Sequence, residues 1–265
     1  MTHRSSRPAR WYERADRVER ALLSAVDVLH QGGWLGLMGP NALHAATDLY
    51  YEGAARYVGR DYNLGGFQPW EEEAVRRHFT SARSVLIAAA GGGREAFALE
   101  RRGLSVRAFD CVGALVEAAN RIAAEEGLAV RLDLAAPDVV PDGFGTFDAA
   151  VVGWGGYMHI PGRATRVAFL QQLRRHLHPG APVLLSFFER ASSARRFRAV
   201  GAIATFVRRA RISSEPVELG DSLAGSFDHH FTRDELLAEL EAGGFEPVEY
   251  ASVPYAHAVA RAARA

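Results

Sequence analysis

The sequence predicts an α/β fold in which short apolar strands alternate with helices around a mostly parallel sheet. Three observations carry that expectation. From Ser84 onward, apolar runs of strand length are separated by helical segments with short connections. Glycine or Pro-Gly breaks punctuate them, at 91–93, at 127 and at 179–180. The stretch from Phe231 to Ala262 then reads as a helix followed by two strands joined tightly around Pro254.

Residues 8–30 read as an amphipathic helix, because Trp11, Ala15, Val18, Leu22, Leu23 and Val26 recur at helical spacing with Arg and Glu between them. Gly32, Gly33, Gly36, Gly39 and Pro40 are expected to end it. A second helical segment covers roughly 41–58 and carries Asp48, Tyr50, Tyr51 and Tyr57; 61–69 (DYNLGGFQP) reads as a Gly/Pro loop and 70–79 as a short helix. The first strand is SVLIAAA from Ser84, ending in Gly91, Gly92 and Gly93. REAFALERRG is a helix, LSVRAFD a second strand, VGALVEAANRIAAEEG a helix stopped by Gly127, and LAVRLDL a third strand. FDAAVVGW is the fourth strand, 163–178 a helix, APVLLSFFE the fifth strand, and 191–210 an Arg-rich helix. Thr232 followed by Glu235 is a capping box for the last helix, and Gly243-Gly244 end it. FEPVEYASV and PYAHAVARA are the closing strands.

Composition narrows the chemistry. The 265 residues include 31 basic and 31 acidic groups, and every one of the basic residues is Arg. The balance argues against a nucleic-acid partner held by bulk electrostatics. With no Lys there is no P-loop lysine, Schiff base or lysine general base. Cys111 is the single cysteine, so neither an internal disulfide nor a thiolate zinc cluster is available, and no metal is expected. The charged N-terminus has no apolar stretch behind it, and no apolar run reaches the length of a membrane span; a soluble, cytoplasmic protein without a membrane partner is the expectation.

Four places carry a ligand-binding pattern. The glycine turn after the first strand lets a ligand approach bare backbone, and the helix behind it offers unpaired N–H groups to an anion. Gly91, Gly93 and Ala96 also fit the dinucleotide pattern G-x-G-x-x-[G/A]. Asp110 ends the second strand, 17 residues beyond Gly93, where a carboxylate accepts both hydroxyls of a ribose. Asp133, with the backbone N–H of Leu134 beside it, has the donor and acceptor needed to read an adenine edge, or else simply caps a loop. Gly153-Trp154-Gly155-Gly156-Tyr157 ends the fourth strand, where open α/β sheets bind ligands.

Taken in order, these residues resemble the class I S-adenosylmethionine-dependent methyltransferases over about 83–261. VLIAAAGGGRE looks like their first motif, and FDAAVVGW like their fourth. LRRHLHPGAPVLLSF and FTRDELLAELEAGGFEPVEY resemble their later helix–strand segments. The resemblance implies a Rossmann-like fold with a mostly parallel seven-stranded sheet, an antiparallel last strand and a helical N-terminal cap. It implies S-adenosyl-L-methionine as cofactor and S-adenosyl-L-homocysteine as product. The implied cofactor contacts are Tyr62, Ala89, Ala90, Gly91, Gly93, Glu95, Asp110, Cys111, Asp133, Leu134, Gly153 and Trp154. Two positions depart from the family. Ile87 stands where an acidic residue is usual, and Ala89 replaces the first glycine of the turn, so the methionine amino group needs another partner, Glu95 or a backbone carbonyl.

The implied activity is methyl transfer to oxygen or nitrogen of a small molecule, in specialised metabolism, by a monomer or homodimer. A cofactor-binding protein that transfers no methyl and an NAD-dependent oxidoreductase are the alternatives. Base candidates are His159, five residues past Trp154, and His229 and His230 just before the last helix; His159 and His230 are taken as the catalytic pair of candidates. The organisation expected is a helical cap or lid over 1–82 and a cofactor-binding core over 83–265 with a helical insertion at about 190–230. Residues 61–69 are expected to close over the cofactor with the helices of 8–58 as outer wall. The Arg residues at 195, 196, 198, 208, 209 and 211 read as a solvated face or as a site for an acidic substrate.

Overall fold

The computed structural model describes residues 7–190, 194–213 and 215–264. Five helices precede the sheet: α1 (Arg7–Leu37), α2 (Pro40–Gly53), α3 (Ala55–Val58), α4 (Arg60–Leu64) and α5 (Pro69–His78). The core then runs β1 (Ser84–Ala88), α6 (Arg94–Glu100), β2 (Ser105–Asp110), α7 (Gly113–Glu126), β3 (Leu132–Leu134), β4 (Ala149–Val152), α8 (Arg163–Arg175) and β5 (Pro182–Ser186). Beyond it come β6 (Phe188–Glu189), α9 (Arg195–Ala210), β7 (Asp221–Ala224), β8 (Ser226–Phe231), α10 (Arg233–Ala242), β9 (Phe245–Ala251) and β10 (His257–Ala262).

The main sheet has the order β3-β2-β1-β4-β5-β10-β9. β1 to β5 pair in parallel, and β10 is inserted antiparallel to both β5 and β9. Burial on both faces explains why β1 reads as a continuous apolar run. Leu86 and Ala88 pack on one face with Leu173 of α8 and Leu240 of α10. Val85 and Ile87 pack on the other with Val75, Phe97 and Ile122 of α5, α6 and α7. Each of these Leu, Val, Ile and Phe side chains, fully removed from water, contributes about 1.5–3 kcal/mol. Thr232 and Glu235 form the expected capping box, the Thr232 side chain accepting from the Glu235 N–H and the Glu235 carboxylate from the Thr232 N–H.

Four expectations about the appended segments change. First, α1 runs on through Gly32, Gly33 and Gly36. Side chains at 32 and 36 would lie 2.7 and 2.5 Å from the Cβ atoms of Ile203 and Val207, so the glycines let α1 and α9 approach closely. Second, the apolar stripe of the N-terminal half of α1 covers nothing: Trp11, Val18, Leu22 and Val26 are all exposed, and the outer-wall role is absent there. Third, the first half of 61–69 is the helix α4 rather than loop. Fourth, the span 190–230 is not purely helical, because β7 and β8 form a hairpin that joins β6 in a small sheet of order β6-β8-β7. Residues 191–193 of the Arg-rich segment lie outside the described residues.

The Arg cluster is divided by its contacts. Arg208 is buried and donates to the backbone oxygens of Leu35, Met38, Glu215 and Pro216. Arg196 pairs with Asp27, and Arg211 donates to the Leu37 carbonyl. These residues tie α9 to the C-terminal half of α1, where the carbonyls of a helix end need donors. Among the described residues no helix is long and apolar enough to cross a membrane.

Candidate functional site

A cleft of about 1040 Å³ opens at the C-terminal ends of β1, β2 and β4, beneath α2, α3 and α4. That is where an open parallel sheet offers strand ends and helix N-termini to a ligand. Its floor is the turn from Ala89 to Gly92, and its roof includes Thr47, Asp48, Tyr51, Tyr57, Tyr62 and Asn63. Ala89 sits at φ 50°, the left-handed region that glycine favours, in keeping with its place at a position where glycine is usual. A Cβ on Gly92 would lie 2.4 Å from the Tyr57 carbonyl oxygen and from Asn63 Nδ2, so the cap rests directly on the glycine turn.

Asp110 is buried at the end of β2. One carboxylate oxygen accepts from the Gly91 N–H at 2.7 Å and the other from the Val112 N–H at 2.8 Å. Burial pushes its pKa up, while the N–H groups of Val112, Gly91 and Cys111 pull it back. Each oxygen keeps a lone pair for a further donor, so the carboxylate fits a ribose diol. Cys111 lines the same cleft; burial, with Asp110 and Asp48 nearby, pushes its thiol up to about 12. It is neutral near pH 7 and ill suited as a nucleophile.

Arg94 begins α6 and lies buried between the rings of Tyr62 and Trp154. It holds Glu71 with two bonds of 2.6 Å, Glu95 with one of 2.6 Å, and the Gly66 carbonyl at 2.9 Å. Burial raises the Glu95 pKa against the pull of Arg94. Tyr51, Tyr57 and Tyr62 stand edge to face in a chain, with ring centres 5.2 and 5.4 Å apart. Such faces attract a cation.

The reactive constellation spans cap, core and insertion. His159 Nε2 lies 2.8 Å from the Tyr51 hydroxyl of α2. Its Nδ1 lies 2.7 Å from the Phe227 carbonyl oxygen and 3.1 Å from Asp228 on β8. A carbonyl only accepts, so Nδ1 is the donor nitrogen, and Nε2 is the one placed to accept from the Tyr51 hydroxyl. Burial raises the Tyr51 pKa strongly, which keeps that hydroxyl a donor.

The other expected residues are divided. Ala89, Ala90, Gly91, Glu95, Asp110, Cys111, Trp154, Tyr62 and His159 line the cleft. Gly93 is the N-cap residue just before α6, and the Gly153 N–H donates back to the Ala88 carbonyl; neither lines the cleft. Asp133 pairs with Arg107 at the surface, and Leu134 is exposed; neither lines the cleft. Ala136, Asp138 and Val139 do so instead, with Asp138 bonded to His44 of α2 at 2.8 Å. His230 is also outside the lining, its ring against Phe188 and Phe197, and burial lowers its pKa. His229 is buried against Asp221 at 2.8 Å. In the 61–69 segment expected to close over the cofactor, Phe67 packs beneath Arg102 and does not line the cleft. Sequence reasoning missed Asp228, which sits beside the two histidines it did consider; alternation along β8 separates it from His229 but not from His230, so nothing local singled it out.

Residues 85–180 match the family model described as a methyltransferase domain. No curated protein matches the chain. Among solved structures, it is similar to the PH0226 protein from Pyrococcus horikoshii OT3, with TM-score 0.61, 15% identity, and coverage of 82% of this chain and 99% of that one. It is similar to the Burkholderia thailandensis 1,6-didemethyltoxoflavin-N1-methyltransferase, which was crystallised with 1,6-didemethyltoxoflavin and S-adenosylhomocysteine. There the TM-score is 0.57 and identity 23%, over 86% of this chain and 92% of that one. A third is CalS10 of Micromonospora echinaspora, an amino pentose methyltransferase with S-adenosylmethionine bound. It gives TM-score 0.52 and 16% identity over 80% and 93% of the two chains.

Proposed function

We propose that this chain, whose residues 85–180 match a methyltransferase-domain model and whose sheet ends in the antiparallel β10, is a class I S-adenosylmethionine-dependent methyltransferase, and that it methylates oxygen or nitrogen of a small molecule. The observation that carries this reading is His159, bonded on both ring nitrogens and lining the cleft next to the aromatic chain. A cleft roofed by α2 to α4 suits a small acceptor, and the toxoflavin and amino pentose enzymes are small-molecule methyltransferases by name.

The cofactor, when bound, supplies a methyl group on a sulfonium that leaves as a neutral thioether. Asp110 holds the ribose hydroxyls, and the N–H groups of the glycine turn and α6 face the anionic end. Tyr57, Tyr62 and Trp154 offer ring faces to positive charge, worth about 0.5–2 kcal/mol. Positioning of the acceptor is the larger contribution, about 7–11 kcal/mol at best. His159 removes the acceptor proton at Nε2, directly or through the Tyr51 hydroxyl, and Asp228 at 3.1 Å stabilises the resulting imidazolium. Of the expected candidates, His159 is retained as base and His230 is not, because only the first faces the cleft. The adenine contact is assigned to the Ala136–Val139 stretch in place of Asp133 and Leu134, for the same reason. An NAD-dependent reading fits less well, since a dinucleotide fold continues its parallel series where this chain inserts the antiparallel β10.

The test is S-adenosylhomocysteine release with a panel of phenols, hydroxylated sugars and amines. At least one acceptor should turn over. His159→Gln should lower kcat about 10²–10⁴-fold with cofactor affinity unchanged. An unaltered kcat in that variant would remove the base assignment.

A further inference from the structure

A buried polar atom in the roof of the cleft has no partner. Asn63, at the end of α4, is only 1% exposed and lines the cleft. Its Nδ2 donates to the carbonyls of Tyr57 at 2.8 Å and Gly59 at 2.9 Å. Both neighbours are acceptors, so the amide can face only one way. Its Oδ1 is then left buried with no hydrogen bond. An unsatisfied buried acceptor costs roughly as much as a lost hydrogen bond, so such atoms in native proteins commonly mark a missing partner.

The position of that atom says what the partner is. Asn63 lies against the glycine turn: a Cβ built on Gly92 would meet Oδ1 at 2.5 Å. Ile87, at the end of β1 just before the turn, is fully buried among apolar side chains and offers no acceptor. The carboxylates in reach of this end, Glu71 and Glu95, are already held by Arg94 at 2.6 Å. Among the described residues that line the cleft, Asn63 Oδ1 is the buried side-chain acceptor left without a hydrogen bond, and it belongs to the cap.

We propose that Asn63 Oδ1 accepts a hydrogen bond from the α-ammonium of the cofactor's methionine moiety, so that the cap itself reads the amino-acid end of the ligand. The assignment rests on the S-adenosylmethionine reading above. It makes Asn63 a binding residue that links ligand occupancy to the seating of α4 on the glycine turn.

The experiment compares two ligands on the full chain by calorimetry: S-adenosylhomocysteine, and the same thioether ending in a 3-carboxypropyl chain, which lacks only the amino group. The wild type should bind the first at least tenfold more tightly. Asn63→Ala should weaken S-adenosylhomocysteine about tenfold and leave the desamino ligand within twofold. Because Asn63→Ala also frees two carbonyls and its fold is at stake, the side-chain amide signals of Asn63 in the wild type are followed by NMR as well. They should shift with S-adenosylhomocysteine and hold still with the desamino ligand. Equal affinities for the two ligands, or equal shifts, overturn the assignment while the cofactor reading stands. Failure of S-adenosylhomocysteine to bind at all removes the cofactor reading and the assignment together.

Discussion

Two stretches of the N-terminal segment have the same local grammar and different fates. Residues 7–26 and residues 40–64 are both helical, and both carry apolar and aromatic side chains at helical spacing. The first stretch keeps Trp11, Val18, Leu22 and Val26 in solvent. The second buries Leu43 and Asn63, places Tyr51 on His159, and roofs the cleft. Amphipathic spacing therefore states that a helix has a face to bury, and leaves open whether this chain supplies the surface. In α1 that surface begins only near Asp27, where Arg196 and the start of α9 meet it.

The sharpest way to break this contrast is inside the second stretch. Tyr51→Phe keeps the ring but removes the hydroxyl that meets His159. Turnover of any accepted substrate should fall by roughly 10²-fold, the low end for a positioned proton-transfer group, with cofactor affinity unchanged by calorimetry. A variant with full activity would reduce Tyr51 to a wall.

Beneath the roof, Asp110→Ala removes the acceptor from two ribose hydroxyls. Hydrogen bonds to a charged group are worth about 1.5–3 kcal/mol each, so S-adenosylhomocysteine affinity should drop at least tenfold. An unchanged Kd in a folded variant would refute the ribose role.

Gly92→Ala tests the contact between roof and turn. The added Cβ has 2.4 Å to the Tyr57 carbonyl oxygen, which is backbone and yields only by moving the cap. Overpacking of this kind costs about 1–3 kcal/mol, and a lowered Tm should accompany weaker cofactor binding. A loss of Tm without a loss of affinity would separate the cap from the ligand.

The smallest effects belong to α1. Gly33→Ala meets no atom within 4 Å and should add about 0.5–1 kcal/mol by removing a helix-interior glycine. Removing residues 1–26 should leave cofactor affinity within twofold, measured by calorimetry. If that truncation costs as much affinity as Gly92→Ala, the contrast between the two stretches fails.

The sequence determined the sheet. Its apolar runs, glycine turn, capping box and Pro-Gly break all act within a few residues, and β1 to β5 with α6 to α8 follow them closely. The Asp110 position was legible for the same reason, since a strand end and a glycine turn lie a fixed distance apart in a βαβ unit. Local order also misled in places. Gly32 and Gly36 look like helix breakers, yet each fills the contact with Ile203 or Val207 and helix continues around it. Asp133 had the right neighbours along the chain, but its side chain turned to Arg107.

Tertiary structure alone decided the chemistry of the cleft. Tyr51, His159 and Asp228 are 108 and 69 residues apart along the chain, and no periodicity connects an N-terminal helix, the end of β4 and a hairpin after α9. Asn63 became a candidate only once its Nδ2 was taken by Tyr57 and Gly59 and its Oδ1 was sealed from water. The physical reason is range. Strand, turn and cap preferences are set by neighbours within about one helical turn, whereas hydrogen-bond satisfaction is settled by whatever the fold brings near.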